Sequence, residues 1–253
     1  MIALPCKGEE RMIDTVIDKF KELRLKHCAE NIAEIVQQAE QRNLSVLQAV
    51  DRLLDIEIEE RNKAWIAQRY RQSKLTEKPT IDQFEFGFHS SRQKQKNLIL
   101  NLLDLEFVRQ RKDIILIGNP GVGKSFLAKC LAYAATQAGI KTLFTTAMDM
   151  LNHLIAAEAA HSLLTKLSFY ETPDLLVCDE IGYLPLGRQG SNLFFQVISA
   201  RHEKKSTIIT TNLPFAQWGN IFDGTTVATA IADRLVYNSE ILILEGKSYR
   251  KRT

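Results

Sequence analysis

The stretch Gly118 to Ser125, "GNPGVGKS", sets three glycines, a lysine and a hydroxyl at a spacing that suits one chemistry, the holding of a nucleotide's phosphates. Gly118, Gly121 and Gly123 keep side-chain carbon out of the way, so that backbone N–H groups from Asn119 through Pro120, Gly121, Val122 and Gly123 to Ser125, less the imide of Pro120, turn toward phosphate oxygens. Lys124 is a mobile cation for the β and γ oxygens, the Ser125 hydroxyl suits Mg²⁺, and Phe126 follows on the helix that the loop opens. A magnesium shell needs an acid at the end of a neighbouring strand, and "DLLVCDE" supplies Asp179. Glu180 is next, placed to orient and polarise an attacking water. Asn212, at the tip of "STIITTN", could touch the γ-phosphate and that water, or cap the turn in "NLPF". Charge developing on the γ-phosphoryl group calls for an arginine, for which Arg234 in "IADRLVYN" ranks ahead of Arg201 in "ISARHEKKS".

These residues need a scaffold that brings strand ends together. "DIILIG", "KTLFTT", "DLLVCD", "STIITTN" and "EILILEG" are short apolar runs separated by helical stretches. Alternation of this kind predicts an α/β fold with a five-stranded parallel sheet, each strand buried on both faces. "IDQFEFGF" and "NLILNLLDLEFVRQ" lead into the first strand and should pack near the nucleotide. Upstream, Ile13, Val16, Ile17, Phe20 and Leu23, and then Ile32, Ile35, Val36 and Ala39, recur at helical spacing. Ser45 with Gln48 reads as a capping box opening a third helix, whose apolar face is expected to run Leu47, Val50, Leu54, Ile58. "SKLTEKPTIDQF" breaks the period, which divides the chain into a small helical N-terminal domain at residues 1–75 and an ATPase domain at residues 76–253.

Composition narrows the class. Of 253 residues, 45% are hydrophobic and 25% charged, the balance of a globular protein. No run approaches a bilayer span and "MIALPCKGEE" is not a signal peptide, so a cytoplasmic protein without a membrane partner is expected. Cys6, Cys28, Cys130 and Cys178 lack metal-site spacing, and Cys130 and Cys178 read as core residues. The net charge of +3 says little, but its distribution says more. Arg61, Lys63, Arg69, Arg71, Lys74 and Lys78 face one acid, Glu77, and the tail adds Lys247, Arg250, Lys251 and Arg252. Such runs are either a solvated face or contacts to a phosphate backbone.

Taken together, "GNPGVGKSFLA", "DLLVCDEIGYLPL", "FFQVISARHEKKSTIITTNLPFAQWGNIF" and "AIADRLVYNSEILILEGKSYR" resemble the IstB family of insertion-sequence ATP-binding proteins, relatives of the helicase loader DnaC and the initiator DnaA within the AAA+ ATPases. The resemblance implies an ATPase using ATP and Mg²⁺. Lys124 and Ser125 would be the P-loop pair, Asp179 and Glu180 the magnesium and hydrolysis acids, Asn212 the first sensor, and Arg234 a finger acting across a subunit interface. It further implies a homo-oligomer with ATP between subunits, assembling on double-stranded DNA with little sequence preference, deforming it and regulating a partner transposase. The sequence ends soon after its last strand, so no helical lid and no second-sensor arginine are expected. A DnaC-like loader gripping single strands and a replicative helicase is the nearest alternative, and a nucleotide-gated scaffold that seldom turns over is a third.

Overall fold

All five apolar runs form strands in the computed structural model, which describes residues 7–249. They are β1 (Asp113–Gly118), β2 (Thr142–Thr146), β3 (Leu175–Ile181), β4 (Ser206–Thr211) and β5 (Ser239–Leu244), ordered β2-β3-β4-β1-β5 with every pairing parallel. Period-two alternation explains the layers. Ile114, Leu116, Leu175, Val177 and Ile208 point into one core with Leu127, Leu131 and Ala135, while Ile115, Leu176, Cys178 and Ile209 point into the other with Met150, Leu154, Phe194 and Ile231. The first core is closed by α5 (Lys96–Asn101), α6 (Glu106–Arg109) and α7 (Lys124–Gln137), preceded by α4 (Ser90–Lys94), and the second by α8 (Ala147–Ala159), α9 (Leu163–Glu171), α10 (Gly187–Arg201) and α11 (Thr225–Val236). Cys130 and Cys178 are buried as expected, and burial pushes the Cys130 thiol up to about 12 and that of Cys178 up as well.

β5 departs from the expectation of double burial. Leu242 and Leu244 are buried, but Ile241 and Ile243 on its other face are exposed, because β5 is an edge strand and the second helical layer does not extend over it.

The chain divides into two compact units, one up to Ala67 and one from Gln68. The first holds α1 (Lys7–Glu22), α2 (Lys26–Arg42) and most of α3 (Val46–Gln72), around Cys28, Ile35 and Leu53 with Phe20, Ile32 and Ile56. The capping box that opens α3 is reciprocal: the Ser45 amide donates to Gln48 Oε1 at 2.8 Å and the Gln48 amide to Ser45 Oγ at 3.2 Å. The apolar face expected from Leu47, Val50, Leu54 and Ile58 is exposed instead, as is Leu23, and Ala49, Leu53 and Ile56 face the core. Glu57 faces inward as well. It is 3% exposed, and its Oε2 accepts the amides of His27 and Cys28 at 2.7 and 2.9 Å, capping the start of α2 where Leu25 has no capping side chain. Leu53, Ile56 and Glu57 face inward together, and Leu54 and Ile58 face outward.

The segment after α3 belongs to the second unit and is packed rather than loose. Ser73 is fully buried, its carbonyl accepts the Phe144 amide at 2.8 Å beside edge strand β2, and Leu75 lies in the sheet's core. Arg250, Lys251, Arg252 and Cys6 lie outside the described residues.

Candidate active site

Because the strands are parallel, the carboxyl ends of β1, β3 and β4 share one edge, and the chain must leave β1 for α7, cross to β2 and come back to β4 to build it. The loop after β1 turns into α7 at Gly123, whose φ of 97° is left-handed. A side-chain carbon there would come within 2.7 Å of Arg92 Nη2 and 2.9 Å of Phe84 Cε2, so the position admits only glycine without displacement of both. Lys124 opens the helix and its Nζ donates to the carbonyls of Gly118 and Asn119 at 2.7 and 3.0 Å, curling the ammonium back over the loop. Val122 is fully buried and pins the loop from below, while Asn119 and Pro120 stay exposed at its crest.

The acids meet the loop at its helical end. Ser125 Oγ donates to Asp179 Oδ1 at 2.9 Å, and the same oxygen accepts from Thr210 Oγ1 on β4. Thr210 Oγ1 in turn accepts the amide of Glu180 at 2.9 Å. One buried hydroxyl therefore fixes both acids. β3 slips register against β4 between Cys178 and Ile181, and within that irregularity Glu180 takes a left-handed φ of 63° and turns its carboxylate to solvent while Asp179 stays buried. Asn212 follows β4 directly. Its Oδ1 lies 3.3 Å from where a β-carbon on Gly182 would stand, beside the loop that leaves Glu180. Lys124, Ser125, Asp179, Glu180 and Asn212 are thus gathered at one strand edge.

The two arginine candidates part company. Arg201 is 1% exposed and fully engaged inside the fold: Nη1 donates to the carbonyls of Tyr170, Glu171 and Pro173, Nη2 to that of Ser206 and Nε to Thr207 Oγ1. It ties α9, α10 and β4 together and has no reach to a nucleotide, which corrects its place as second candidate. Asp113 is nearby, its Oδ1 taking the Thr207 amide at 2.6 Å. Burial pushes the Asp113 carboxyl up to about 7 against the pull of Thr207 and Arg201, and pushes the Arg201 guanidinium down to about 10. Arg234, half-buried near the end of α11, stacks on Phe195 at 4.6 Å and donates to the Ala230 carbonyl at 2.9 Å. Its described contacts are with these groups rather than with the loop of its own chain.

Beside the loop opens a cleft of about 210 Å³ lined by Phe84, Glu85, Arg92, Gly121, Phe126 and Tyr249. "IDQFEFGF" thus packs where the sequence placed it. Arg92 and Tyr249 are additions that the sequence did not single out, Arg92 because it hides in a polar run and Tyr249 because "GKSYR" read only as a basic tail. Arg92 is 2% exposed, donates to the Val122 carbonyl from Nε and Nη2, and lies 4.4 Å from the Phe84 ring. Tyr249 donates its amide to Gly121 at 2.8 Å and its hydroxyl to Glu85 at 3.1 Å. Thr210 was missed too; only its place at the penultimate position of an apolar strand, facing the acidic strand, could have marked it.

Ser125 and Asp179 fit Mg²⁺: two hard oxygens meet at 2.9 Å, and an ion bound through one carboxylate, a hydroxyl and the nucleotide's phosphates needs no dedicated cage. Among the described residues no group of three or more His, Cys, Asp or Glu side chains is placed to hold a metal.

Residues 18–253 match the family described as IstB-like ATP binding protein. An ATP-binding protein of insertion sequence IS5376 from Geobacillus stearothermophilus is 37% identical over 91% of this chain and 91% of its own. That of IS232 from Bacillus thuringiensis subsp. berliner is 34% identical over 90% of each. Among solved structures, the DnaC helicase loader superposes with a TM-score of 0.55 at 21% identity over 70% of this chain and 98% of its own. AMPPCP-bound DnaA from Aquifex aeolicus gives 0.58 at 16% identity over 70% and 53%. Those two likenesses establish the P-loop AAA+ fold.

Proposed function

Since this chain belongs to the IstB-like ATP-binding family and is an ATPase of AAA+ fold, we propose that it is a cytoplasmic transposition helper that assembles on duplex DNA with bound ATP, deforms the duplex and regulates a transposase. The relatives at 34 and 37% identity all belong to insertion sequences, which favours this reading over a helicase loader.

The observation that carries turnover, rather than mere nucleotide binding, is the pair of acids held by Thr210: one buried against Ser125, the other exposed. In the proposed mechanism the loop amides and the start of α7 cradle the phosphates, and the Phe84–Arg92–Tyr249 cleft takes the base. Lys124 swings from the Gly118 and Asn119 carbonyls to the β and γ oxygens. Ser125 and Asp179 would hold Mg²⁺, which would supply charge neutralisation at the phosphates. Glu180 orients a water and receives its proton as the oxygen attacks the γ-phosphorus, ADP leaving with the bond's electrons; Asn212 positions that water. Arg234, unattached to its own loop in the described contacts, serves the γ-phosphate of a neighbouring subunit, which makes ATP a fastener between copies.

Binding of duplex and single-stranded DNA with and without ATP, followed by co-sedimentation with the transposase of the same insertion sequence, tests this. ATP-dependent duplex binding with transposase capture is the expected result. Preference for single strands and capture of a replicative helicase would replace it with the loader.

A further inference from the structure

The structure sorts the basic run between Arg61 and Lys78. Arg61 pairs with Glu57 at 2.6 Å and Lys63 with Glu60 at 2.7 Å, each within one helical turn, while Lys78 lies over the Tyr70 ring. Arg71 and Lys74 do something else. Together with Lys141, which is distant in sequence, they line an open groove of about 600 Å³ whose other walls include Gln68, Phe169 and Thr172, and whose lining holds no carboxylate.

Three features make this groove suited to a polyanion. The cations converge from two segments, the end of α3 with its following turn and the start of β2, rather than from one amphipathic face. Their frame is rigid: Ser73 is fully buried, its hydroxyl donates to the Tyr70 carbonyl at 2.6 Å, and its carbonyl takes the Phe144 amide, so Lys74 stands out from a fixed left-handed turn with φ of 63°. Lys141 is steadied by Thr172 Oγ1 at 3.3 Å. Finally, Phe169, 43% exposed with the Lys166 ammonium over its ring, offers the groove an apolar wall, a surface for deoxyribose rather than for phosphate.

We propose that this groove, along the β2 edge of the ATPase unit, receives the sugar-phosphate backbone of DNA, with Arg71, Lys74 and Lys141 on successive phosphates and Phe169 against the sugar. It rests on the DNA-binding reading above and names the surface that performs it. A cationic groove of this kind contributes affinity without sequence preference, and its contribution is salt-dependent.

The experiment measures duplex affinity of the full chain with ATP across a salt series. Neutralising three contacts as Arg71→Gln, Lys74→Gln and Lys141→Gln should weaken binding by roughly tenfold or more and flatten the slope of log K against log salt by about 2 to 3. Phe169→Ser should weaken binding and leave the slope alone. A control, Lys63→Gln with Lys78→Gln, removes charge outside the groove and should leave both quantities near those of the parent. ATP affinity, unchanged in every variant, reports that each is folded. Unchanged duplex affinity in the triple variant, or the same loss per charge in the control, overturns the groove while leaving the DNA-binding reading standing. A parent protein with no duplex affinity at any salt overturns that reading and the groove with it.

Discussion

Glu180 holds a left-handed backbone conformation that a residue with a β-carbon adopts at a cost of about 1–2 kcal/mol, and it does so at the one slip in register along β3. Strain kept at such a point is consistent with function. Glu180→Gly should therefore raise thermal stability while abolishing turnover, and Glu180→Gln should keep ATP affinity and lose turnover by about 10²–10⁴-fold. Thr210→Val, which keeps the shape and removes the hydroxyl shared by both acids, should lower turnover and raise the magnesium concentration required; a variant with parental kinetics would remove Thr210 from the site. Away from the nucleotide, burial pushes the folded Asp113 carboxyl up to about 7, against about 3.9 when unfolded. The folded state then binds more protons between those values, so this group's contribution makes stability fall as pH rises from about 4 to 7, by up to ~1.4 kcal/mol per pH unit. Asp113→Asn should flatten that slope in urea titrations across the same range. That Lys124, Ser125 and the two acids meet at one strand edge could be read from the sequence because a loop-and-acid arrangement of this kind needs fixed residue types at fixed spacing. Thr210, Arg92 and Tyr249 could not, because each acts through a tertiary contact that no local pattern encodes.

Among the elements, all five strands were legible as short apolar runs, four of them because strands between two helical layers must be apolar on both faces, and β5 although only one of its faces is covered. The rotation of α3 was not. Two apolar stripes run along that helix, and the one turned to the core lies beside Glu57, a charged residue whose burial only makes sense once α2 is beside it. Burial works to raise its pKa, but the Cys28 and His27 amides and Arg61 outweigh burial and hold the carboxyl below its usual value. Its stabilisation is therefore present above the ordinary carboxylate range and fades as pH falls through its lowered folded value. Glu57→Ala, which strands two amide donors, should destabilise the helical unit by about 2–3 kcal/mol, read as lost hydrogen-exchange protection in α1 to α3. Protection there equal to that of the parent would show that α2 needs no such cap. The buried Arg201 carries the same lesson: a basic residue at the end of a helix reads as a candidate for the γ-phosphate until the carbonyls of Tyr170, Glu171, Pro173 and Ser206 are seen around it.

For the whole molecule, the proposed role of Arg234 at a neighbouring subunit's γ-phosphate would make hydrolysis a property of the assembly. Arg234→Ala and Glu180→Gln proteins, each inactive alone, should regain part of the parental rate when mixed, because some interfaces then join an intact Arg234 to an intact Glu180. Absence of recovery in assemblies shown to be mixed would place the finger elsewhere. That this ATPase spends ATP on duplex DNA, as proposed, is tested by the rate of ATP hydrolysis without DNA, with single strands and with duplex, with Glu180→Gln as reference. Stimulation by duplex that vanishes in Glu180→Gln is the predicted result; turnover raised by single strands alone, or by neither form of DNA, would contradict it.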